Sequence, residues 1–315
     1  MNIVVNSFPF NPGKLYELTK DFPDINFSYT SSIEEFEKEI KSADAVFTIK
    51  LKSLHLASAK NLKWIQGLMA GVDGLPIENI RNRDIILTTG RGIHKDHMIE
   101  YALSMMIIDS RNLNEFILNK KEKKWDPNFR QNQIKGKTLG ILGLGSIGKE
   151  LAKKASFMGM DVIGLKRTKS HVPYVKKVYT EENMDEVFSL SDYIVNLLPL
   201  TEKTEKIVNA NLFKKMKPTA CMMNIGRGGT VNEDDLLQAL KNKVFRDYIS
   251  DVFEEEPLPS SNPLWNLDNI IITPHICGSN INYMSKAYNI VKKNIEKYRN
   301  DKEKMINKYS YKRGY

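Results

Sequence analysis

Three polar segments in the second half of the chain each follow an apolar stretch typical of a buried strand. Arg227 lies between glycines, an acidic run covers residues 254–256, and His275 follows Ile-Ile-Ile-Thr-Pro. Because the carboxyl ends of parallel strands meet at one edge of a sheet, we expect a cation, a carboxylate and an imidazole there. Reduction of an anionic 2-oxo acid by hydride uses such a set: the cation binds the substrate, the imidazolium donates a proton, and the carboxylate orients the imidazole. Taken singly, each residue also has a structural explanation, as a turn, a solvated surface or a buried histidine.

A glycine-rich turn lies upstream of these segments. Residues 143–148 have the sequence Gly-Leu-Gly-Ser-Ile-Gly, which matches the spacing G-x-G-x-x-G. A predicted strand at 138–142 precedes the turn and a predicted helix follows it, which is the context in which this spacing binds a dinucleotide. The exposed N–H groups at the start of such a helix favour phosphate charge. The residues expected to contact the dinucleotide here are Gly143, Gly145, Ser146, Ile147 and Gly148.

The next predicted strand indicates which dinucleotide is preferred. An NAD site usually carries Asp or Glu at the carboxyl end of this strand, where the acid binds the ribose 2′-hydroxyl. Here the acid, Asp161, lies at the amino end. Two cations and two hydroxyls follow the strand instead: Lys166, Arg167, Thr168 and Ser170. Because such groups suit a 2′-phosphate, we expect NADP(H) to be preferred, with NAD(H) as the alternative if they are merely solvated.

A loop of small residues follows a predicted strand at 62–66. It comprises Met69, Ala70, Gly71 and Val72. Backbone N–H groups in such a loop can surround an anion, although a plain tight turn has the same composition. Further on, His94 and His97 have H-x-x-H spacing. Two imidazoles do not by themselves complete a metal site, so we expect no bound metal.

Alternating strand and helix patterns carry these segments and predict parallel sheets. In the first ~95 residues, strands are predicted at 3–5, 45–49, 62–66 and 84–88. A second set of six strands, in a doubly wound arrangement, is predicted at 138–142, 161–165, 193–197, 221–225, 248–252 and 270–273. The apolar spacing in residues 97–122 predicts one long helix, and a second long helix is predicted after about residue 280.

Length and composition are consistent with a two-domain globular protein. The chain has 315 residues, of which 41% are hydrophobic and 27% charged, so it can bury a core. Of the net charge of +9, +7 comes from Lys286 onward, which favours a solvated basic helix over a nucleic-acid-binding surface. No apolar run approaches the ~20 residues of a membrane span. The two cysteines, Cys221 and Cys277, and the lack of a signal sequence predict a cytoplasmic protein.

Several of these motifs together resemble the D-isomer-specific 2-hydroxyacid dehydrogenase family along most of the chain. The resemblance rests on residues 69–73, 143–148, 198–201 with Thr204, 224–229, 251–257, 262–265, and 273–275 with Gly278. The sequence departs from the family at several positions, and one is the segment 89–94, a hinge that often contains asparagine. Lys166 stands where NAD-using relatives carry an acid, and Cys277 replaces a commoner alanine, which we interpret as a change in packing.

The resemblance implies a role for each matching residue. Arg227 would bind the substrate, His275 would be the general acid/base and Glu256 its carboxylate partner. The backbone N–H groups of residues 69–72 would bind the substrate carboxylate. Asp251 would bind the nicotinamide amide. The remaining residues expected around the cofactor are Leu198, Pro199, Thr204, Ile225, Gly226 and Gly278.

The resemblance also implies a fold and an activity. The fold would comprise two Rossmann-like α/β domains with doubly wound parallel sheets. The cofactor domain, residues 98–282, would be inserted into a substrate domain of residues 1–97 plus 283–315, with substrate in the cleft. We expect a homodimer whose interface is formed by the long helix after residue 97, and we expect no nucleic-acid or membrane partner.

The expected reaction is the reduction of a small 2-oxo acid, glyoxylate or hydroxypyruvate, to the D-2-hydroxy acid. Two alternatives stay open. One is a D-lactate- or D-2-hydroxyisocaproate-type dehydrogenase that acts on a larger 2-oxo acid. The other is a nucleotide-sensing binding module with the same fold.

Overall fold

The computed structural model describes residues 1–128, 131–312 and 314. The chain divides into two compact units, Met1–His94 with Asn280–Tyr315, and Lys95–Ser279. The second unit is therefore inserted in the sequence between the two parts of the first. Each unit is built on one parallel sheet, and the α/β class with two Rossmann-like units is confirmed.

The first unit contains a five-stranded sheet of order β2-β1-β3-β4-β5, and all its neighbouring strands are parallel. The strands are β1 Asn2–Asn6, β2 Asn26–Thr30, β3 Ala45–Thr48, β4 Trp64–Gly67 and β5 Ile86–Thr88. Strands β3 and β4 are buried along their whole length, as expected where helices cover both faces of a parallel sheet. The edge strand β2, Asn-Phe-Ser-Tyr-Thr, was not predicted because its residues are mostly polar.

The second unit contains a seven-stranded parallel sheet of order β12-β11-β10-β9-β6-β7-β8. The strands are β6 Thr138–Leu142, β7 Asp161–Leu165, β8 Lys177–Tyr179, β9 Tyr193–Asn196, β10 Cys221–Asn224, β11 Asp247–Ser250 and β12 Ile270–Ile272. The strand order reverses direction between β6 and β9, which is where open α/β sheets bind ligands. The prediction of six strands omitted β8, an edge strand of 3 residues that begins with an exposed lysine.

Helices lie between most successive strands along the chain, and the last helix follows the last strand. They are α1 Leu18–Asp21, α2 Ile33–Glu39, α3 Ser53–Ser58, α4 Ile77–Asn82, α5 Lys95–Ser110, α6 Leu113–Lys121, α7 Ser146–Phe157, α8 Met184–Leu190, α9 Ala210–Phe213, α10 Glu233–Lys241 and α11 Tyr283–Asn300. Short 3-10 helices lie at Gly13–Glu17, Ile40–Ser42, Glu181–Asn183, Gly228–Thr230, Pro263–Asn266 and Lys302–Lys304. Among the helices of the described residues, none has the length and apolar character needed to cross a membrane.

The prediction of one helix over residues 97–122 was wrong. The helix ends at Ser110, and α6 begins at Leu113. Between them Asn112 adopts a left-handed conformation, φ 48°, and its N–H bonds to the carbonyl of Asp109, as in a tight terminal turn. Asparagine tolerates this conformation better than other residues with a side chain, so the helix breaks there although its apolar pattern continues.

The basic helix α11 packs on the first unit through one apolar face. Its buried side chains are Met284, Ala287, Tyr288, Val291 and Ile295, together with Asn294. Beside this face, Lys292 and Arg299 form ion pairs with Asp21 and Asp24 at 3.1 and 2.8 Å. Part of the C-terminal charge is thus paired with acids of the same unit.

Candidate active site

The second unit brings the three predicted polar segments to one edge of its sheet. Arg227 follows β10, Glu256 follows β11 and His275 follows β12. These three strands are neighbours and run parallel, so their carboxyl ends lie side by side. The arrangement predicted from the ends of the strands is therefore present.

His275 and Glu256 form a direct pair. Nδ1 of His275 lies 2.6 Å from Oε2 of Glu256, and the side chains are 48% and 33% exposed. The other carboxylate oxygen, Oε1, accepts a hydrogen bond of 2.9 Å from the backbone N–H of Phe253, which orients the carboxylate. Because Nδ1 donates to the carboxylate, Nε2 is the ring nitrogen that remains for proton exchange with a ligand.

The backbone around His275 is held by Asp251. His275 has φ 51°, and its N–H bonds to the Asp251 carbonyl at 2.8 Å. The fully buried Asp251 carboxylate accepts hydrogen bonds from the Thr273 hydroxyl at 2.5 Å and from the N–H groups of Ile276 and Cys277 at 2.9 and 2.8 Å. Burial raises the pKa of the Cys277 thiol. Asp251 thus stabilises an unfavourable left-handed conformation at His275. Its contact with a nicotinamide amide stays a prediction.

Tyr101 extends this network, and the sequence did not reveal it. Its hydroxyl lies 2.7 Å from Oγ1 of Thr273. Because the Thr273 hydroxyl donates its hydrogen to Asp251, the phenol is the donor in this contact. Burial raises the pKa of Tyr101, so the phenol remains a donor. In the sequence, Tyr101 is only one of the apolar positions of α5.

Two buried asparagines shape the loop that carries Arg227. The Asn196 amide donates to Oδ1 of Asn224 at 3.1 Å and to the Thr230 hydroxyl at 2.8 Å. The Asn224 amide and the Thr230 hydroxyl in turn donate to the Arg227 carbonyl at 3.2 and 2.6 Å. The Arg227 guanidinium itself donates to the Gly226 carbonyl at 2.8 Å. Asn196 and Asn224 are positioning residues that sequence reasoning missed.

The glycine turn has the geometry that a dinucleotide requires. Gly143 has φ 109°, and a Cβ on Gly148 would lie 2.2 Å from the Gly143 carbonyl oxygen, so both positions require glycine. A Cβ on Gly145 would meet nothing within 4 Å, which leaves open space beside the first turn of α7. The N–H groups of Ser146 and Ile147 begin this helix of 12 residues. Open space next to a helix N-terminus fits a pyrophosphate.

The cationic segment after β7 adjoins this turn. The Leu165 carbonyl accepts hydrogen bonds from the N–H groups of Gly143 and Leu144 at 3.2 and 3.0 Å. Lys166 follows directly, and its Nζ lies 2.6 Å from Oγ of Ser170. Arg167 and Thr168 come next and are exposed. The residues that follow β7 are thus cations and hydroxyls, which are groups that can bind a phosphate.

The other predicted cofactor residues lie in loops at the same edge. Thr204 donates its hydroxyl to the Pro199 carbonyl at 2.6 Å, so in this structure it shapes its own loop. Leu198 and Pro199 are half-buried, whereas Ile225 is 1% exposed and packs in the core. Both predicted glycines also lie in loops at the carboxyl edge of the sheet. Gly226 is buried after β10, and Gly278 is half-buried after β12. Their contact with a cofactor stays a prediction.

The small-residue loop lies in the first unit, after β4. Residues 69–72 are half-buried. The Met69 carbonyl accepts a hydrogen bond of 2.8 Å from Gly90, and the Val72 carbonyl one of 2.9 Å from Leu75. Within the described part of the chain, no hydrogen bond is donated by the N–H groups of residues 69–72. Half-buried N–H donors in succession are what an anion-binding loop requires.

Comparisons with known proteins agree with this geometry. A D-3-phosphoglycerate dehydrogenase from Methanocaldococcus jannaschii is 33% identical over 84% of this chain, but the match spans only 51% of that enzyme. A glyoxylate reductase from Thermofilum pendens is 29% identical over 88% of this chain and 82% of that enzyme.

Solved structures show the same fold. An NADPH-dependent glyoxylate/hydroxypyruvate reductase from Sinorhizobium meliloti, in complex with NADP and sulfate, is 26% identical, with a TM-score of 0.85 and 100% of both chains covered. The family model for the NAD-binding domain of D-isomer specific 2-hydroxyacid dehydrogenases matches residues 103–277. The chain therefore belongs to the D-isomer specific 2-hydroxyacid dehydrogenase family.

Proposed function

We propose that this protein reduces a small 2-oxo acid, glyoxylate or hydroxypyruvate, to the D-2-hydroxy acid with NADPH as the preferred hydride donor. The observation that carries the proposal is the contact of 2.6 Å between His275 and Glu256 at the carboxyl edge of the dinucleotide-type sheet. An oriented imidazole with one free ring nitrogen is the group that carbonyl reduction needs.

Each residue then has a defined role. When bound, the cofactor supplies a hydride to the carbonyl carbon. His275 donates a proton from Nε2 to the carbonyl oxygen, and Glu256 stabilises the imidazolium and keeps it oriented. Arg227 binds the substrate carboxylate, to which the N–H groups of residues 69–72 also donate.

The cofactor preference is supported by the segment after β7. Lys166 adjoins the glycine turn and is followed by Arg167 and Thr168, with no acid among these three residues. A charge-assisted hydrogen bond to a phosphate contributes about 1.5–3 kcal/mol, so the expected preference for NADPH is about ten- to a hundredfold. The solved reductase from S. meliloti, whose structure contains NADP, supports the same assignment.

The first experiment compares NADPH and NADH oxidation with glyoxylate, hydroxypyruvate, pyruvate and 2-oxoisocaproate. We expect the highest kcat/KM with NADPH and one of the two smaller, more polar acids. Highest activity on 2-oxoisocaproate would favour the D-2-hydroxyisocaproate-type alternative, and a clear NADH preference would overturn the cofactor assignment. No turnover of any pair, together with NADP binding by calorimetry, would favour a nucleotide-sensing module.

A charge reversal isolates the contribution of Lys166. Lys166→Glu should lower kcat/KM for NADPH about ten- to a hundredfold and leave kcat/KM for NADH nearly unchanged. The matched control is Lys154→Glu, an exposed lysine in the last turn of α7, at the opposite end from the glycine turn. An equal loss with both cofactors in Lys166→Glu would indicate a structural role instead.

We also propose that the protein is a cytoplasmic homodimer that associates through the surface of α5, α6 and the loop after them. This surface exposes large apolar side chains, including Ile117 at 61%, Leu118 at 51% and Trp125 at 95%. Clustered exposed apolar residues of this size mark association surfaces. Light scattering should give a dimer for the wild type and a monomer for Ile117→Lys. A monomeric wild type would contradict the proposal.

A further inference from the structure

Tyr283, the first residue of α11, lies against the backbone of the loop after β4. Its hydroxyl donates to the Leu68 carbonyl at 3.0 Å, and the Met69 sulfur lies 2.9 Å away. Nε2 of His94 lies 3.2 Å from the same hydroxyl, and the two rings are 5.2 Å apart between centroids. The contacts join segments that are 214 and 189 residues apart in the chain.

The hydroxyl is a stable donor in this position. A phenol has one hydrogen, so donation to the Leu68 carbonyl leaves its oxygen to accept from His94. Burial raises the pKa of Tyr283, so the phenol remains protonated. His94, which showed no metal-site partner in the sequence, thereby has a geometric role: its imidazole fixes the rotation of the Tyr283 hydroxyl.

The point of contact lies at the start of the segment 69–72, whose N–H groups donate no hydrogen bond among the described residues. The Leu68 N–H bonds to the Thr48 carbonyl at 2.8 Å, and the Met69 carbonyl accepts from Gly90 at 2.8 Å. Tyr283 fixes the intervening Leu68 carbonyl. The peptide that leads into residues 69–72 is thus held from three directions. Because the Leu68 carbonyl and the Met69 N–H belong to one planar peptide unit, a fixed carbonyl also fixes the direction of the Met69 N–H, the first donor of the loop.

We propose that Tyr283, oriented by His94, is a positioning residue that aims the N–H groups of residues 69–72 at the substrate carboxylate. This inference rests on the proposed function, because it assigns a carboxylate to that loop. Tyr283 acts on substrate binding through the loop and does not contact the transferred hydride or proton. Its loss should therefore change KM for the 2-oxo acid far more than kcat.

The test uses the full-length protein and the variant Tyr283→Phe, which removes only the hydroxyl. A neutral hydrogen bond contributes about 0.5–1.5 kcal/mol, so KM for the 2-oxo acid and the inhibition constant of oxalate should rise about three- to tenfold. We expect kcat and KM for NADPH to stay within about twofold. The matched control is Tyr288→Phe. Tyr288 lies on the same helix as Tyr283, but its hydroxyl is bonded to Asp21.

A double-mutant cycle tests the part of His94. His94→Leu should raise KM in the same direction, and His94→Gln, which keeps an N–H donor, should restore part of the loss. The effect of Tyr283→Phe combined with His94→Leu should be smaller than the product of the single effects, because both act through one hydroxyl. Independent, multiplicative effects would overturn the pairing of the two residues.

Hydrogen exchange supplies a readout that does not depend on turnover. In Tyr283→Phe, but not in Tyr288→Phe, the Leu68 and Gly90 amides should exchange faster, because the peptide between them loses one contact. Wild-type exchange rates and wild-type KM in Tyr283→Phe would overturn the inference and leave the proposed function standing. A wild type that neither reduces 2-oxo acids nor binds oxalate would overturn the proposed function, whatever the exchange rates show.

Discussion

The two edges of the seven-stranded sheet each carry a pair of charged side chains. The pairs differ in how exposed the side chains are and in how many hydrogen bonds they form within the protein. At the carboxyl edge, the His275 and Glu256 side chains are 48% and 33% exposed. At the amino edge, the Asp109 side chain is 4% exposed and accepts from both Nη atoms of Arg246 at 2.9 and 2.7 Å. The Tyr193 hydroxyl also donates to Asp109, at 2.6 Å.

This difference indicates that the carboxyl edge can exchange a proton with a ligand, whereas the amino edge stabilises the fold. His275 keeps one ring nitrogen without a protein contact in the described residues, so it can pass a proton to a ligand. Asp109 already accepts three charge-assisted or phenolic hydrogen bonds and has little capacity for a ligand. Substitutions at the carboxyl edge should therefore change activity, and substitutions at the amino edge should change stability.

The largest effect is expected at the carboxyl edge, for His275→Ala. Loss of a general acid should lower kcat by about 10²–10⁴, because proton donation to the alkoxide is lost. NADPH binding and the free energy of unfolding should remain close to the wild-type values, since the imidazole is half exposed. Steady-state kinetics, calorimetry and urea unfolding check this. Unchanged kcat would contradict the role assigned to His275.

The second effect breaks the amino edge. Asp109→Ala should lower the free energy of unfolding by about 2–3 kcal/mol, because Tyr193 and Arg246 lose a buried acceptor. The control is Asp161→Ala, which removes an exposed ion pair of 2.6 Å with Lys176 and should cost at most about 1 kcal/mol. Urea unfolding measures both. A fall in kcat of Asp109→Ala as large as that of His275→Ala would remove the distinction between the edges.

A smaller effect is expected for Glu256→Gln. The amide keeps the shape of the carboxylate but no longer neutralises the imidazolium, so kcat should fall about ten- to a hundredfold. Glu255→Gln is the matched control, since Glu255 is its exposed neighbour in the acidic run. The ratio of the two kcat values measures the contribution of the pair of His275 and Glu256. Equal kcat values would show that their contact of 2.6 Å does not contribute to catalysis.

The placement of the site could be predicted from the sequence because strand ends in a parallel sheet share an edge. Arg227, Glu256 and His275 each follow a short apolar stretch, and the topology brings those ends together. The glycine turn could also be predicted, because the strand, the glycine spacing and the helix are consecutive in the sequence. The edge strands β2 and β8 were missed, since neither contains a continuous apolar run like those of the buried strands.

The residues that hold the site could not be predicted. Tyr101 and Tyr283 act through hydrogen bonds to residues distant in the sequence, such as the bond from Tyr283 to Leu68. Nothing in one sequence distinguishes such a tyrosine from an apolar neighbour on the same helix. The helix break at Asn112 could not be predicted for a related reason. The spacing of apolar residues indicates which side chains are buried, but it does not indicate the backbone conformation of a single residue.

The smallest predicted effect concerns Asp247, beside Arg246 at the amino edge. Burial and the nearby Asp109 raise its pKa to about 6, against the attraction of Arg246. In the unfolded chain its pKa is about 3.9. Between these values the folded protein holds a proton that the unfolded chain has released, so this group's contribution to stability falls as pH rises from about 4 to 6. Asp247→Asn removes that loss.

The stability of Asp247→Asn relative to the wild type should therefore increase with pH, by on the order of 1 kcal/mol after allowance for partial exposure. Urea unfolding at about pH 4 and pH 7 measures the change. Asp268→Asn, an exposed aspartate of the same unit, serves as the control. A relative stability that decreases with pH would mean that the attraction of Arg246 outweighs burial, and that Asp247 belongs to the saturated network around Asp109.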